Sequence, residues 1–150
     1  SSGPPPPRPR HWRERMLEEV GPQIPAADEG RVHFLGRLDR AAFTRVLQLS
    51  RVHVYLTYPF VLSWSLIEAM SIGCSIVGSD TAPVREVLAV GHNALLVDFF
   101  DAQGLVRRVE ELLDDWAQAQ RLSAQARRSA VERFDLTRVC LPRQLSLLCA

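Results

Sequence analysis

Short apolar runs alternate with longer amphipathic stretches through the middle of the chain. The short runs have the length and composition of buried strands and cover residues 32–35, 52–57, 75–78 and 94–97. Between them, residues 40–48, 65–72 and 84–90 place apolar side chains at helical spacing. Strands separated by helices are typical of βαβ units, which form parallel sheets. The pattern predicts an α/β fold with a Rossmann-like parallel sheet of about four strands flanked by helices.

The two ends of the chain have other patterns. Apolar residues from Trp12 to Val20 recur at helical spacing, and Gly21-Pro22 is expected to end that helix. Residues 1–10 include a run of prolines and are expected to be a Pro-rich disordered tether, which leaves residues 11–150 as one α/β domain. After residue 98 the strand signals cease, and the pattern predicts a helical C-terminal third. Its helices are expected near residues 105–116, 118–133 and 137–148, the last deflected at Pro142.

Composition and charge exclude several classes of protein. With 47% hydrophobic residues, 23% charged residues and a formal net charge of +1, the chain has an ordinary globular balance and no basic excess for nucleic acid. No apolar run approaches the ~20 residues of a membrane-spanning helix. The 3 cysteines and 4 histidines show no metal-ligand spacing, so no metal site is expected. Reduced thiols favour a cytoplasmic location.

One loop and the helix after it hold the chemistry that the sequence offers. The apolar run at residues 52–57 leads into a Pro-marked loop and then into a helix with a single acidic residue, Glu68. Ligands of parallel sheets bind outside the carboxyl ends of strands, and a helix N-terminus attracts anions. A phosphate-bearing ligand is the first hypothesis. The alternative is structural, because Ser65 and Glu68 match the capping-box pattern S-x-x-E.

Several segments together resemble a known family. They are residues 32–37, 52–59, 66–73, 76–80 and 85–87, and they resemble the donor-binding half of group 1 glycosyltransferases, which are GT4-like retaining enzymes of the GT-B fold. The resemblance runs from about residue 31 to the C-terminus. It implies an N-terminally truncated C-terminal domain that binds a nucleotide sugar. The parent enzyme would transfer a hexose from a UDP- or GDP-sugar to a hydroxyl acceptor, without a further cofactor.

The resemblance assigns a role to Glu68. In the family a glutamate-x7-glutamate motif spans this loop, and its second glutamate, which hydrogen-bonds the ribose hydroxyls, corresponds to Glu68. A carboxylate suits a diol because it accepts two charge-assisted hydrogen bonds. The first glutamate corresponds to Phe60, whose ring has no acceptor for a sugar hydroxyl. The donor sugar would therefore be held differently, through apolar packing on Phe60, or donor chemistry has been lost.

Other candidate binding residues follow from the same resemblance. The family's usual loop residues are replaced here by residues that include Leu62, Ser63 and Trp64, so only the roles of backbone amides can be transferred from the family. The amides of Ser63 and Trp64 are the candidates to bind the diphosphate. The structural alternatives are an N-cap at Ser63 and simple packing of Trp64. Gly36 and Arg37 correspond to a segment near the nucleotide base, contacted through the backbone. An ordinary turn at Gly36 explains the same residues.

The resemblance also predicts what the chain lacks. The family's basic phosphate-binding loop and its acceptor-binding domain have no counterpart in these 150 residues, so the fragment alone is expected to be inactive. Missing strands would leave a sheet edge exposed, and self-association through that edge is expected. No catalytic residue is assigned. The alternative function is a non-catalytic α/β binding or interaction module in which Glu68 caps its own helix.

Overall fold

The computed structural model describes residues 12–58 and 61–148, and it divides the chain into two compact units, Ser1–Arg37 and Leu38–Ala150. In the first unit, helix α1 (Trp12–Val20) ends before Gly21-Pro22, as predicted. Two 3₁₀ turns follow, Gly21–Gln23 and Glu29–Arg31. The predicted tether at residues 1–10 lies outside the described residues.

The second unit is an α/β sandwich around a parallel sheet. Three strands are hydrogen-bonded in the order β1-β2-β3, and both pairs are parallel. The strands are β1 (Val52–Tyr55), β2 (Ser75–Ser79) and β3 (Leu95–Val97). The helices are α2 (Arg40–Leu49), α3 (Trp64–Ile72), α4 (Ala82–Arg85), α5 (Ala102–Asp114), α6 (Trp116–Phe134) and α7 (Leu141–Leu148). The predicted fold class is confirmed.

The sheet has three strands in the described part of the chain, where the sequence pattern predicts about four. Residues 32–35 do not form a strand, although the backbone of Val32 is extended. An alternating apolar pattern favours the extended conformation, but a strand also needs a hydrogen-bonded neighbour, which a local pattern does not supply. Among the described residues, β1 pairs only with β2 and forms one edge of the sheet.

Helix α4 is shorter than the predicted helix at residues 84–90. It ends at Arg85, and a turn held by the side chain of Asn93 follows. The Asn93 amide donates to Val87 O at 3.1 Å and its Oδ1 accepts Ala89 N–H at 2.7 Å. These are backbone groups that a longer helix would have used, so the side chain replaces another helical turn.

Both faces of the sheet are covered. On one face, Leu66, Met70 and Ile76 belong to a buried cluster that includes Ala126 and Ala130 of α6. On the other, a second cluster contains the following buried residues: Val77, Leu95, Val97, Leu112, Ala119 and Leu122. Neighbouring residues of β2 therefore point into different cores, as expected of a strand buried on both faces. Helix α6 contributes to both clusters, its first half to one and its second half to the other.

The C-terminal third is helical, as predicted. The predicted last helix at residues 137–148 is divided: a wide π-type turn, Leu136–Cys140, precedes α7, which begins next to Pro142. The break agrees with the expected deflection at that proline. In the described residues, no helix is both long enough and apolar enough to cross a membrane.

Candidate functional site

The carboxyl ends of all three strands lie at one edge of the sheet, because the strands are parallel. A serine ties two of these ends together. Ser79, the last residue of β2, is fully buried; its Oγ accepts the Thr57 N–H at 3.0 Å and donates to Thr57 O at 2.8 Å. The chain leaving β1 is thus fixed to β2 two residues beyond the strand, immediately before the loop that leads to α3.

The start of α3 is organised by Ser63. This residue is the N-cap, and its Oγ accepts the Ser65 N–H at 3.3 Å. The Ser63 N–H itself donates to the hydroxyl of Tyr55, at 3.0 Å. The N-cap alternative for Ser63 is therefore what the structure contains, and its amide, a candidate donor to a diphosphate, has a protein acceptor. Trp64 N–H, the first of the helix, has no acceptor within the helix by its position.

Glu68 does not form a capping box. Since Ser63 is the N-cap, the third helical position is Leu66, and the Ser65 N–H is taken by Ser63. The Glu68 carboxylate instead accepts from Arg40, with 3.2 Å between Oε1 and Nη1. Its side chain is about one-third exposed, at 35%, and Arg40 is 87% exposed. The carboxylate therefore faces a solvent-accessible surface with a guanidinium beside it.

The candidate residues of the loop and helix lie in different surroundings. Leu62 packs against the core, whereas Trp64 is 81% exposed. Trp64 and Glu68 line the same shallow groove of about 230 Å³, with Phe134 at the end of α6 on its other side. This volume is below the ~300–1,000 Å³ of most complete small-molecule sites. The groove alone would enclose only part of a nucleotide sugar.

The remaining candidate residues are Phe60, Gly36 and Arg37. Phe60, which replaces a family glutamate, lies outside the described residues. Gly36 and Arg37 belong to the first unit, where Gly36 has a φ of 65°. This left-handed conformation is available to glycine at little cost and agrees with a tight turn after residue 35.

An ion pair lies at the end of β2. Arg85 donates through Nη2 to Asp80 Oδ2 at 2.6 Å and also through Nε to Oδ1. These hydrogen bonds hold the pKa of Asp80 below its ordinary value. Because the guanidinium is engaged in a fork with this carboxylate, Arg85 is committed to a protein partner. Among the residues that the structure describes, no group of three His, Cys, Asp or Glu side chains could hold a metal ion.

Sequence reasoning missed two features of this edge. Arg40 lies 28 residues before Glu68, and no local pattern connects them. The second feature is a set of three aromatic rings, Tyr58 after β1 and Phe99 and Phe100 after β3, which contact one another. Its signal in the sequence is the Phe-Phe pair directly after a strand, at a position where parallel sheets bind ligands.

Solved structures superpose on most of this chain. Anabaena HepE in complex with UDP superposes with a TM-score of 0.80 at 20% identity, over 93% of this chain and 37% of that protein. Its complex with UDP-glucose gives the same TM-score at 19% identity, with the same coverage. The sucrose-phosphate synthase of Thermosynechococcus elongatus has a TM-score of 0.71 at 26% identity, over 91% of this chain and 35% of that protein. This chain thus spans little more than a third of these proteins.

Sequence comparison identifies the family. No curated protein sequence matches the chain. Residues 27–129 match the family described as glycosyl transferases group 1, and this segment is more than half of the chain. It includes the whole sheet, helix α3 with Glu68, and most of α6. The chain therefore belongs to the group 1 glycosyltransferases and corresponds to a C-terminal domain fragment of the GT-B fold.

Proposed function

We propose that this chain is the donor-binding part of a retaining, GT4-like glycosyltransferase, and that Glu68 accepts hydrogen bonds from the ribose hydroxyls of a nucleotide sugar. The parent enzyme transfers a hexose from that donor to a hydroxyl acceptor. Anabaena HepE, which shares the fold, was solved with UDP and with UDP-glucose. A uridine nucleotide is therefore the first donor to test.

The environment of Glu68 is the observation that carries the proposal. The Ser65 N–H donates to Ser63 Oγ, and the Glu68 carboxylate is paired instead with Arg40, an exposed residue at the first position of α2. Exposed ion pairs contribute only about 0–1 kcal/mol to stability. A carboxylate has about four acceptor sites, and the hydrogen bond from Arg40 occupies one of them. Glu68 can therefore still accept hydrogen bonds from both hydroxyls of a diol.

Arg40 supports the same proposal through its charge. A guanidinium next to the ribose ligand contributes positive charge close to where the diphosphate of a nucleotide sugar would lie. The Trp64 N–H, at the positive end of the α3 dipole, is the amide that we assign to that diphosphate. Ser63 contributes by fixing the start of the helix, since its Oγ caps α3.

Several finer features belong to the proposal. The catalytic cleft of the parent enzyme needs a second, acceptor-binding domain, so the fragment alone binds donor without transferring sugar. The edge of β1 that has no pairing strand among the described residues would favour self-association. We expect the parent enzyme in the cytoplasm, because the cysteines follow no disulfide pattern, and we treat residues 1–10 as a tether to the rest of the protein.

The proposal is tested by titrating UDP, GDP and ADP into the ¹⁵N-labelled chain up to millimolar concentration. We expect saturable amide shifts in residues 63–68 with one of the three nucleotides. Glu68→Gln removes the charge and one acceptor while keeping the shape of the side chain. Because hydrogen bonds to charged groups are worth ~1.5–3 kcal/mol, the dissociation constant should rise about 10- to 100-fold.

Glu110→Gln is the matched control, because Glu110 is an exposed glutamate on α5, a helix that packs on the other face of the sheet. It should bind nucleotide like the wild type. Equal nucleotide affinities in the two variants would mean that Glu68 does not bind the ribose. If the folded chain bound none of the nucleotides, the donor-binding function would be refuted in favour of a non-catalytic module.

A further inference from the structure

Three aromatic rings form a compact cluster at the carboxyl edge of the sheet. Tyr58, Phe99 and Phe100, here called the aromatic cluster, contact one another pairwise with ring centroids 5.1–5.7 Å apart. All three contacts are edge-to-face, with interplanar angles of 64–85°. This geometry is favoured by the ring quadrupoles, and it gives the cluster one preferred shape.

The strand order determines where the cluster lies. Tyr58 follows β1 and the two phenylalanines follow β3, while β2 lies between these strands. Neighbouring strands are about 4.8 Å apart, so the rings extend across the carboxyl end of β2. This is the edge at which open parallel sheets bind ligands, and it is continuous through Thr57 with the loop that leads to Glu68. The aromatic cluster thus lies at the edge of the sheet from which the loop before α3 departs.

The backbone that carries the rings is held in place. Ser79 fixes Thr57, the residue before Tyr58, through two hydrogen bonds. On the other side, Asp98 Oδ1 accepts the Phe100 N–H at 2.9 Å. A surface fixed in this way loses little conformational freedom when a ligand binds.

The rings are nevertheless open to solvent. Tyr58 is 61% exposed and Phe100 is 75% exposed, and neither belongs to the two buried clusters. Single exposed apolar residues are ordinary, but a contiguous aromatic surface at a ligand-binding edge is not. Phe100, the more exposed of these two rings, therefore presents most of its surface to solvent.

The chemistry at the rim favours a neutral ligand with hydroxyl groups. Asp98 is exposed beside the rings, and Asp101 caps α5 and pairs with Arg107 at 3.5 Å. An aspartate next to the rings repels phosphate and accepts hydrogen bonds from hydroxyls. The C–H groups on one side of a pyranose carry partial positive charge, which matches the negative face of an aromatic ring.

We infer that the aromatic cluster is a stacking platform for a neutral pyranose ring, supplied either as the sugar of the nucleotide donor or as a saccharide acceptor. The inference rests on the proposed function for its location next to a donor site. Phe100 provides the main exposed face and Tyr58 a second face with a hydroxyl at its tip. The platform would hold the sugar by contacts to carbon, leaving its hydroxyls to Asp98 and the rim.

The test compares probes that differ only in the sugar. The ¹⁵N-labelled chain is titrated with UDP, UDP-glucose and methyl β-D-glucoside, and the amides of Tyr58, Phe99 and Phe100 are followed. If the platform binds the donor sugar, UDP-glucose should shift these amide resonances and UDP should not. If the platform binds a saccharide acceptor, the glucoside should shift them. Either result supports the inference and identifies the source of the ring.

Phe100→Ala should then weaken the sugar-dependent binding by about 3- to 10-fold, the range expected for loss of one aromatic contact, and leave UDP affinity unchanged. Phe100→Tyr, which keeps the ring, should bind like the wild type. Trp116→Ala is a control for removing an exposed ring elsewhere, since Trp116 is 57% exposed at the start of α6.

Two results would overturn the inference. One is that neither UDP-glucose nor the glucoside shifts the three amides. The other is that UDP alone shifts them and binds more weakly to Phe100→Ala, which would make the cluster a base-stacking site. Failure of the proposed function has another signature: Glu68→Gln leaves UDP affinity unchanged while the glucoside still binds the platform.

Discussion

Ser79→Ala tests whether a single hydroxyl holds the site-bearing edge of the sheet together. In the wild type, Ser79 Oγ bonds to both backbone groups of Thr57, with distances of 3.0 and 2.8 Å. Ser75, at the other end of β2, is a matched comparison because it is also buried and makes one hydrogen bond, to Ala119 O at 3.1 Å. The two variants remove the same atom from the same strand.

The expected magnitudes follow from what each serine leaves behind. Removal of Ser79 Oγ deprives the Thr57 N–H and C=O of a partner, and a buried group without a partner costs about 1–3 kcal/mol. Thr57 is half-buried, so about 1 kcal/mol each, or about 2 kcal/mol together, is expected. Ala119 lies inside α6, so its carbonyl keeps its helical N–H partner when Ser75 is replaced. That variant should lose about 0.5–1 kcal/mol.

The assay is urea unfolding of the full chain followed by far-UV circular dichroism, with thermal melts in parallel. At about 2–4 °C per kcal/mol for a chain of this size, Ser79→Ala should lower the thermal unfolding midpoint by about 4–8 °C and Ser75→Ala by about 1–4 °C. Hydrogen exchange gives a local readout. The Thr57 amide should exchange much faster in Ser79→Ala and at its wild-type rate in Ser75→Ala.

Equal losses of stability in the two variants would refute the reasoning, since they would mean that the second hydrogen bond contributes nothing. An unchanged exchange rate at Thr57 in Ser79→Ala would do so independently. It would show that this amide is protected by something other than the Ser79 hydroxyl.

Two further predictions concern the core and the response to pH. A Cβ at Gly78 would lie 3.0 Å from Leu88 Cδ1 and 3.2 Å from Leu96 Cδ2. Gly78→Ala should therefore overpack the core and lower the free energy of unfolding, measured in urea, by about 1–3 kcal/mol. Gly30→Ala is the control and should be nearly neutral, because a Cβ there has nothing within 4 Å. Burial lowers the pKa of His53, so the unfolded state binds more protons, and the free energy of unfolding should fall as the pH drops below about 6.5 toward the lowered pKa of the folded state. His53→Gln should flatten this loss in melts recorded at several pH values, and an unchanged slope would contradict the assignment.

The sequence predicts local elements well because their signals are local. The helix that ends before Gly21-Pro22 and the amphipathic helices after residue 98 follow from periodicity and from residues that stop helices. The parallel order follows because a helix separates each pair of strands. Helix α4 departs from its prediction because Asn93, outside the helical pattern, takes over backbone groups of Val87 and Ala89.

Contacts between distant segments account for most of what the sequence does not predict at the site. The spacing of Ser65 and Glu68 permits a capping box, but the N-cap is Ser63, two residues earlier than that pattern requires, because the loop is anchored to Tyr55. The pairing of Glu68 with Arg40 depends on how α2 lies against α3. Residues 32–35 illustrate the same point for strands, since pairing is a property of two segments.

Helix α6 has a consequence for synthesis of the protein. Its first half completes the buried cluster on one face of the sheet and its second half the cluster on the other, so a nascent chain that has produced all three strands still lacks part of the cover of each face. The ribosome must add residues 98–130 before both clusters are complete, which takes about 2–7 s at ~5–20 residues per second. During that interval, apolar surface of the unfinished domain is open to association with other chains. Codons that slow translation within α6 would therefore lower the soluble yield more than the same codons placed after residue 134.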